Sequence, residues 1–232
     1  MTILERDKLP IVDQPTPGLE VLPQSPDDML KFRREFVIKM GWFDEPYPSD
    51  MDRYDDISST LHFVNRDDTG EILSGMRLTR INTLDESLSI DMLGSHPEMQ
   101  EAAKAFGKSL DFQQTDVWDL TRLVHHLKRD QRHIESVLSI LPVFGAGLAM
   151  TQPDDNKDLA WLFTTTASMK GHLDSVGIRA DVIAQGRIGE KDEEESYFCI
   201  IHPIEAMQFL RKNPDGYRSI YELVNEGYQS IK

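Results

Sequence analysis

Four carboxylates, Asp50, Asp52, Asp55 and Asp56, crowd into seven positions of the stretch SDMDRYDD, around Tyr54. Charges of one sign this close repel, so either water screens them or a cation sits among them. Three chemistries fit: a solvated loop, a calcium site, or a pocket for a positively charged substrate. Calcium fails a direct test. An EF-hand loop beginning at Asp50 needs an oxygen ligand at its fifth position, Gly at its sixth and Glu at its twelfth. Those positions hold Tyr54, Asp55 and Leu61. Zinc is no better supported. His62 falls in an expected strand, no H-x-x-x-H or C-x-x-C spacing occurs, and adjacent His125 and His126 would point to opposite faces of a strand. No metal is expected, and the solvated loop and the cation pocket both stay open.

Charge also sits where a core strand would not want it. In GMRLTRI, Arg77 lies between Met76 and Leu78, and Arg80 follows. In WDLTRLV, Asp119, Thr121 and Arg122 interrupt an apolar run. Strict alternation puts Asp119, Thr121 and Leu123 on one face and Trp118, Leu120 and Arg122 on the other. A buried Asp or Arg is costly unless paired, so these residues form a structural pair or open a polar cleft in the sheet. No nucleophile elbow, phosphate-binding P-loop or dinucleotide fingerprint is present.

The elements that must position these groups are legible in outline. In SPDDMLKFRREFVIKMG, Ser25 suits an N-cap, Pro26 the first helical position, and Asp27 and Asp28 the positive helix end. Met29, Phe32, Phe36, Val37 and Met40 recur at helical spacing before Gly41. ISSTLHFVNR and EILSGMRLTRI flank the turn DDTG and predict an antiparallel hairpin. A short helix is expected around His96 to Phe106, then a strand in DVWDLTRLVHH. DQRHIESVLSILPVFGAGLAM predicts a buried helix that Pro142 and its glycines could kink. LAWLFTTT predicts a strand, ASMKGHLDSVG a helix closed by Gly177, IRADVIAQG and ESYFCIIH two strands, and PIEAMQFLRK a helix. The acidic turn RIGEKDEEE reads as solvated. The order predicts one α/β domain with a mixed central sheet flanked by helices. It spans residues 25–212, after an extended N-terminal segment, 1–24, and before a C-terminal tail, 213–232.

Bulk composition sets limits. The chain has 232 residues, 39% hydrophobic and 28% charged, enough for one well-buried domain. Its 25 Lys and Arg against 40 Asp and Glu give a formal net charge of −15, which argues against a broad nucleic-acid or membrane surface. The single cysteine, Cys199, allows no intramolecular disulfide and reads as a buried strand residue. The first residues lack a basic start followed by an apolar run, and no window reaches 18 apolar residues, so neither a signal peptide nor a membrane span is expected. A cytoplasmic location is expected.

Taken together and in order, these motifs resemble the acyl-homoserine-lactone synthases, which make the autoinducers of bacterial quorum sensing. The family's Phe and, six positions on, Trp at the end of the first helix are matched by Phe36 and Trp42. Its acidic set, Glu-x-Asp-x-Tyr-Asp, is matched by Asp50, Asp52, Tyr54 and Asp55; Asp56 matches nothing and reads as solvated. Its Gly-x-x-Arg-Leu strand is matched by Arg77, and its Glu-x-Ser-Arg strand by Asp119, Thr121 and Arg122. FTTTASMKGHLDSVGI is similar to its later strand, helix and turn. The resemblance runs from about residue 25 to 205. Three departures stand out. Phe32 occupies the place of an Arg, with Arg33 and Arg34 beside it. Asp50 and Asp119 replace glutamates. His96 replaces an aromatic residue.

The resemblance implies an N-acetyltransferase (GNAT)-like fold whose central strands splay into a cleft. It implies acyl transfer from acyl carrier protein to the amine of S-adenosylmethionine as substrate, with no cofactor, followed by lactonisation that releases methylthioadenosine. In that reading Asp50, Asp52 and Asp55 offset the substrate's positive charge, Trp42 covers it, Asp119 is the general base, and Arg77 and Arg122 brace carboxylates. After the central strand the chain reads HHLKRDQRH, without the glycines that hold a coenzyme A pyrophosphate. Lys128, Arg129 and Arg132 instead make a basic patch that would suit an acidic carrier protein. Ile134 to Met150, with Leu162 and Phe163, could line an acyl pocket, although most of it is expected to pack the core. Two alternatives remain: an N-acyl amino acid synthase using another amine, and a binding protein of the same fold without catalysis.

Overall fold

The structure, a computed structural model, describes residues 18–39, 55, 59–93, 96–125, 138–153, 157–187 and 195–231. Seven strands, β1 (Leu19–Leu22), β2 (Thr60–Arg66), β3 (Ile72–Ile81), β4 (Thr115–His125), β5 (Asp158–Thr166), β6 (Asp181–Arg187) and β7 (Glu195–Ile201), make one sheet in the order β1-β2-β3-β4-β5-β7-β6. All neighbours run antiparallel except β4 and β5, which are parallel. The hairpin β2–β3 forms across DDTG as its residues predict. Asp67 Oδ1 accepts from the backbone N–H of Thr69 and Glu71, and Gly70 takes the positive φ the turn needs.

Helices cover both faces, as two-faced burial of a central sheet requires. On one side lie α1 (Asp27–Lys39), the short α2 (Leu88–Asp91) and α3 (Pro97–Ser109), packed through Met29, Phe36, Ile90, Met99 and Ala103. On the other lie α4 (Ile140–Met150), α5 (Ala167–Ser175), α6 (Pro203–Lys212) and α7 (Pro214–Ser230), packed around Phe63, Met76, Leu78, Leu120 and Trp161. Phe144 meets Trp161 edge to face, 4.8 Å between ring centroids, so the apolar segment of α4 is core. Pro142 sits in the first turn of α4, where its missing N–H has no intrahelical acceptor to lose.

The tail after residue 212 becomes α7, and glycines let it dock. A Cβ at Gly145 would fall 1.8 Å from Val224 O, and one at Gly227 would fall 1.8 Å from Pro142 O. The two backbones therefore touch directly. Residues 19–22, in the extended N-terminal segment, add β1 to the sheet edge. Cys199 is buried as expected, and burial pushes its thiol up to about 12.

Two sequence expectations need correcting. Pro26, not Ser25, precedes α1: Leu30 N–H bonds to Pro26 O at 3.0 Å, while the Ser25 hydroxyl accepts from Arg33 Nη1 at 3.3 Å. Leu123 does not share a face with Asp119 and Thr121. Gly75 pairs with Val124 but Arg77 with Thr121, so β4 holds one extra residue, and Arg122 there adopts φ 55°. This β-bulge resets the alternation, sending Leu123 to the α4 side and Val124 to the α1 side.

Candidate active site

Parallel pairing of β4 with β5 covers only Thr115–Asp119 against Asp158–Leu162. Both strands continue, to His125 and Thr166, without pairing to each other. The sheet therefore forks immediately after Asp119, and the bulge at Arg122 bends β4 just beyond the crotch. Alternate backbone N–H and C=O groups of each strand point into such a fork without a ladder partner across it.

Asp119 sits at the crotch with its side chain on the α2 face. It is 1% exposed. Its Oδ2 accepts from Ser89 N–H at 3.1 Å, while Oδ1 is buried with no hydrogen-bond partner. Burial raises its pKa above the usual 3.8, and hydrogen bonds from Ser89 and Ser87 offset part of that rise. The same Ser89 accepts at its carbonyl from Thr164 Oγ1 of β5, 3.1 Å away. Helix α2 thus straddles the fork, tied to β4 on one side and to β5 on the other.

Beside it on the same face lies a buried charge node. Asp55 Oδ1 receives Arg33 Nη1 and Arg77 Nη1, each at 2.9 Å, and Oδ2 receives Arg33 Nη2 at 3.4 Å. All three residues are at most 2% exposed. Arg77 Nε donates to Thr121 Oγ1 at 2.9 Å, which joins the node to β4 two residues beyond Asp119. His62 completes it, with Nε2 3.4 Å from Asp55 O and Nδ1 3.9 Å from Asp55 Oδ1. Burial lowers the His62 pKa below 6.5, although the Asp55 charge pulls the other way. In the low-dielectric interior these bonds hold Arg77 and Thr121 in place.

Of the residues singled out in the sequence, Asp55, Arg77, Asp119 and Thr121 come together on this face. Phe36 closes its α1 end, its ring 5.7 Å from that of His125. Arg122 lies at the bulge. Trp42, Asp50, Asp52, Lys128, Arg129 and Arg132 lie outside the described residues, as does Asp56. Arg33, His62 and Ser89 belong to the site and were not among the expected residues. Arg33 carried a signal: with Met29 and Phe36 it falls on the core-facing stripe of α1, where an unpaired charge could not stay. The backbone contact of Ser89 carried none.

Among the described residues, no group of three His, Cys, Asp or Glu could hold a metal ion, and no helix is long and apolar enough to cross a membrane. A surface groove of about 490 Å³, lined by Phe106, Leu110, Val182, Ile183 and His202, lies along β6. Strands β5 and β7 separate it from β4. Chemistry rather than open volume therefore marks the fork.

Solved structures share this fold. BjaI, a CoA-dependent acyl-homoserine lactone synthase solved with SAM and isopentyl-CoA, superposes with a TM-score of 0.56 at 11% identity, covering 89% of each chain. The AHL synthase LasI superposes at 0.53 and 15% identity, over 80% of this chain and 90% of its own. The fold is that of the acyl-homoserine lactone synthases. TofI, solved in a ternary complex with an inhibitor and MTA, has the same fold, with a TM-score of 0.53 at 20% identity over 83% of this chain and 97% of its own. No family model and no curated protein matches the sequence. The mixed sheet and GNAT-like architecture implied by the resemblance are thus the observed ones.

Proposed function

We propose that this protein is an acyltransferase that makes N-acyl-homoserine lactones from an acyl thioester and S-adenosylmethionine. The observation that carries this reading is Asp119: a buried carboxyl at the crotch of the fork, with one oxygen held by Ser89 N–H and the other without a hydrogen-bond partner. An amine nucleophile must lose a proton as it attacks, and burial raises the Asp119 pKa in the direction a base working near neutrality needs.

In the first step the substrate nitrogen attacks the thioester carbonyl. The N–C bond forms, the C–S bond breaks, and the ammonium proton passes to Asp119 and then to the departing thiolate. Backbone N–H groups in the fork stabilise the tetrahedral oxyanion. In the second step the substrate's own carboxylate oxygen attacks its γ-carbon, and the C–S⁺ bond breaks to release neutral methylthioadenosine. Asp55 is taken up by Arg33 and Arg77 and braces the site rather than facing the substrate's charge; that role we assign to Asp50, Asp52 and Trp42. SAM in BjaI and MTA in TofI support this substrate on the shared fold.

The acyl donor we favour is acyl carrier protein, because HHLKRDQRH lacks glycines for a pyrophosphate and carries Lys128, Arg129 and Arg132. The test is incubation of the purified chain with S-adenosylmethionine and either acyl carrier thioester or acyl coenzyme A. Mass spectrometry should find methylthioadenosine and acyl-homoserine lactone in equal amounts, faster with the carrier protein. Absence of methylthioadenosine with both donors would overturn the reading. An acyl amide on another amine would then identify an N-acyl amino acid synthase.

A further inference from the structure

Helix α1 carries two adjacent arginines that end up differently. Arg33 turns into the node and is taken up by Asp55. Arg34 is partly buried, and its Nε is sealed from solvent without meeting an acceptor. Among the described residues it is the one arginine that has no hydrogen bond, ion pair or ring contact. Arg33, Arg66, Arg77, Arg80 and Arg218 pair with carboxylates, Arg179 lies over Phe209, and the other three are engaged as well. The chain has 40 acidic residues against 25 basic ones, yet none of them answers this guanidinium. A cation withdrawn from water without a partner is costly, which leaves a ligand as the group to supply the missing charge. Its placement suits one. At 100° per residue Arg34 lies on the flank of α1 away from Asp28, whose carboxylate turns to Arg66 of β2. The sheet order β2-β3-β4-β5 puts that flank on the side of the fork, next to the node.

We propose that Arg34 binds the carboxylate of the amine substrate. This inference rests on the acyl-transfer reading above. S-adenosylmethionine brings three charged groups to the site. Its amine goes to Asp119 and its sulfonium to the acidic residues, so its carboxylate is the group still without a counterpart. A guanidinium offers planar, paired N–H donors that match a carboxylate, and the pairing strengthens where water is thinned. With Nε sealed, the two Nη groups are the ones that reach the ligand. The same contact serves the second step, because this carboxylate must be aimed at the γ-carbon for the ring to close. Arg34 therefore sets specificity at the point of binding. It favours an amine that can lactonise over the same amine lacking its carboxylate, which could be acylated but never cyclised.

The test measures equilibrium binding of S-adenosylmethionine and of decarboxylated S-adenosylmethionine, which keeps the amine and sulfonium but has no carboxylate. Both ligands are titrated calorimetrically into the natural protein, Arg34→Gln and Arg34→Lys, with thermal unfolding to check each fold. The natural protein should bind S-adenosylmethionine about 10- to 100-fold more tightly than the decarboxylated form. Arg34→Gln should weaken S-adenosylmethionine by a similar factor and leave the decarboxylated ligand within about twofold, so the preference disappears. Arg34→Lys, which keeps the charge but loses the planar pair, should retain a preference of about three- to tenfold. Equal weakening of both ligands by Arg34→Gln would overturn the proposal, since the arginine would then act on the fold or the general field. Unchanged binding of both, with a raised KM for the acyl donor alone, would also overturn it and move Arg34 to the donor's phosphate. If the natural protein binds neither ligand, the functional reading itself fails and this inference with it. Tight binding of S-adenosylmethionine that does not depend on Arg34 sinks this inference alone.

Discussion

Arg33 and Arg77 grip the same oxygen: each places Nη1 2.9 Å from Asp55 Oδ1, from helix α1 and strand β3 respectively. One carboxylate thus joins the α1 layer to the sheet beneath a fully buried surface. Removing Asp55 leaves two guanidinium charges facing each other in low dielectric. Asp55→Asn should cost about 3–5 kcal/mol of stability, read by denaturant unfolding. Pairing it with Arg33→Met should cost less than the sum of the single changes, because the second substitution removes one stranded charge. Additive losses would show that the two residues do not act as one node.

Asp119→Asn should leave the fold intact and lower acyl transfer about 100- to 10,000-fold, the usual range for loss of a general base. Methylthioadenosine release measures the activity, and circular dichroism the fold. A loss of less than threefold would remove Asp119 from the chemistry.

The same carboxyl predicts a pH dependence with a definite sign. Burial raises its folded pKa above 3.8, so the native state holds its proton longer than the unfolded chain does. Its contribution favours the folded state below 3.8 and is lost as pH rises through the folded pKa. Asp119→Asn should therefore gain stability relative to the natural protein on going from about pH 3.5 to about pH 8, seen in parallel urea titrations. His62 works the other way. Its folded pKa lies below 6.5, so its contribution is present above 6.5 and lost as pH falls towards the folded pKa. His62→Gln should flatten that acid limb.

Gly227→Ala should destabilise by about 2 kcal/mol or more, because the added methyl meets the Pro142 carbonyl backbone, which cannot rotate away. Gly216→Ala, in the same helix with open space around it, is the control and should be neutral or slightly stabilising. Thermal unfolding of the two variants separates packing from helix propensity.

Much of the scaffold was legible because it depends on local pattern. The hairpin around DDTG, the strands TDVWDLTRLVH and DLAWLFTTT, and the Gly177 cap each follow from alternation or a turn residue whose physics reaches only a few neighbours. The bulge at Arg122 broke that logic. Its extra residue is defined only against β3, so no periodicity within β4 could have placed Leu123 on the α4 side. The short α2 was equally silent, since four residues carry too little period to register.

The candidate site divides along the same line. By itself the sequence determined that Asp119, Thr121 and Arg77 interrupt apolar strands, because a charge inside an apolar run is visible in one dimension and must find a partner. Which partner it finds is a property of three dimensions. Tertiary structure alone decided that Arg77 turns to Asp55 and Thr121, and that Arg33 joins them from the apolar stripe of α1. It alone decided that Asp119 takes the backbone of Ser89, 30 residues earlier in the chain, and leaves one oxygen without a hydrogen-bond partner. A fork between two strands has no sequence signature, since it is made by hydrogen bonds that stop.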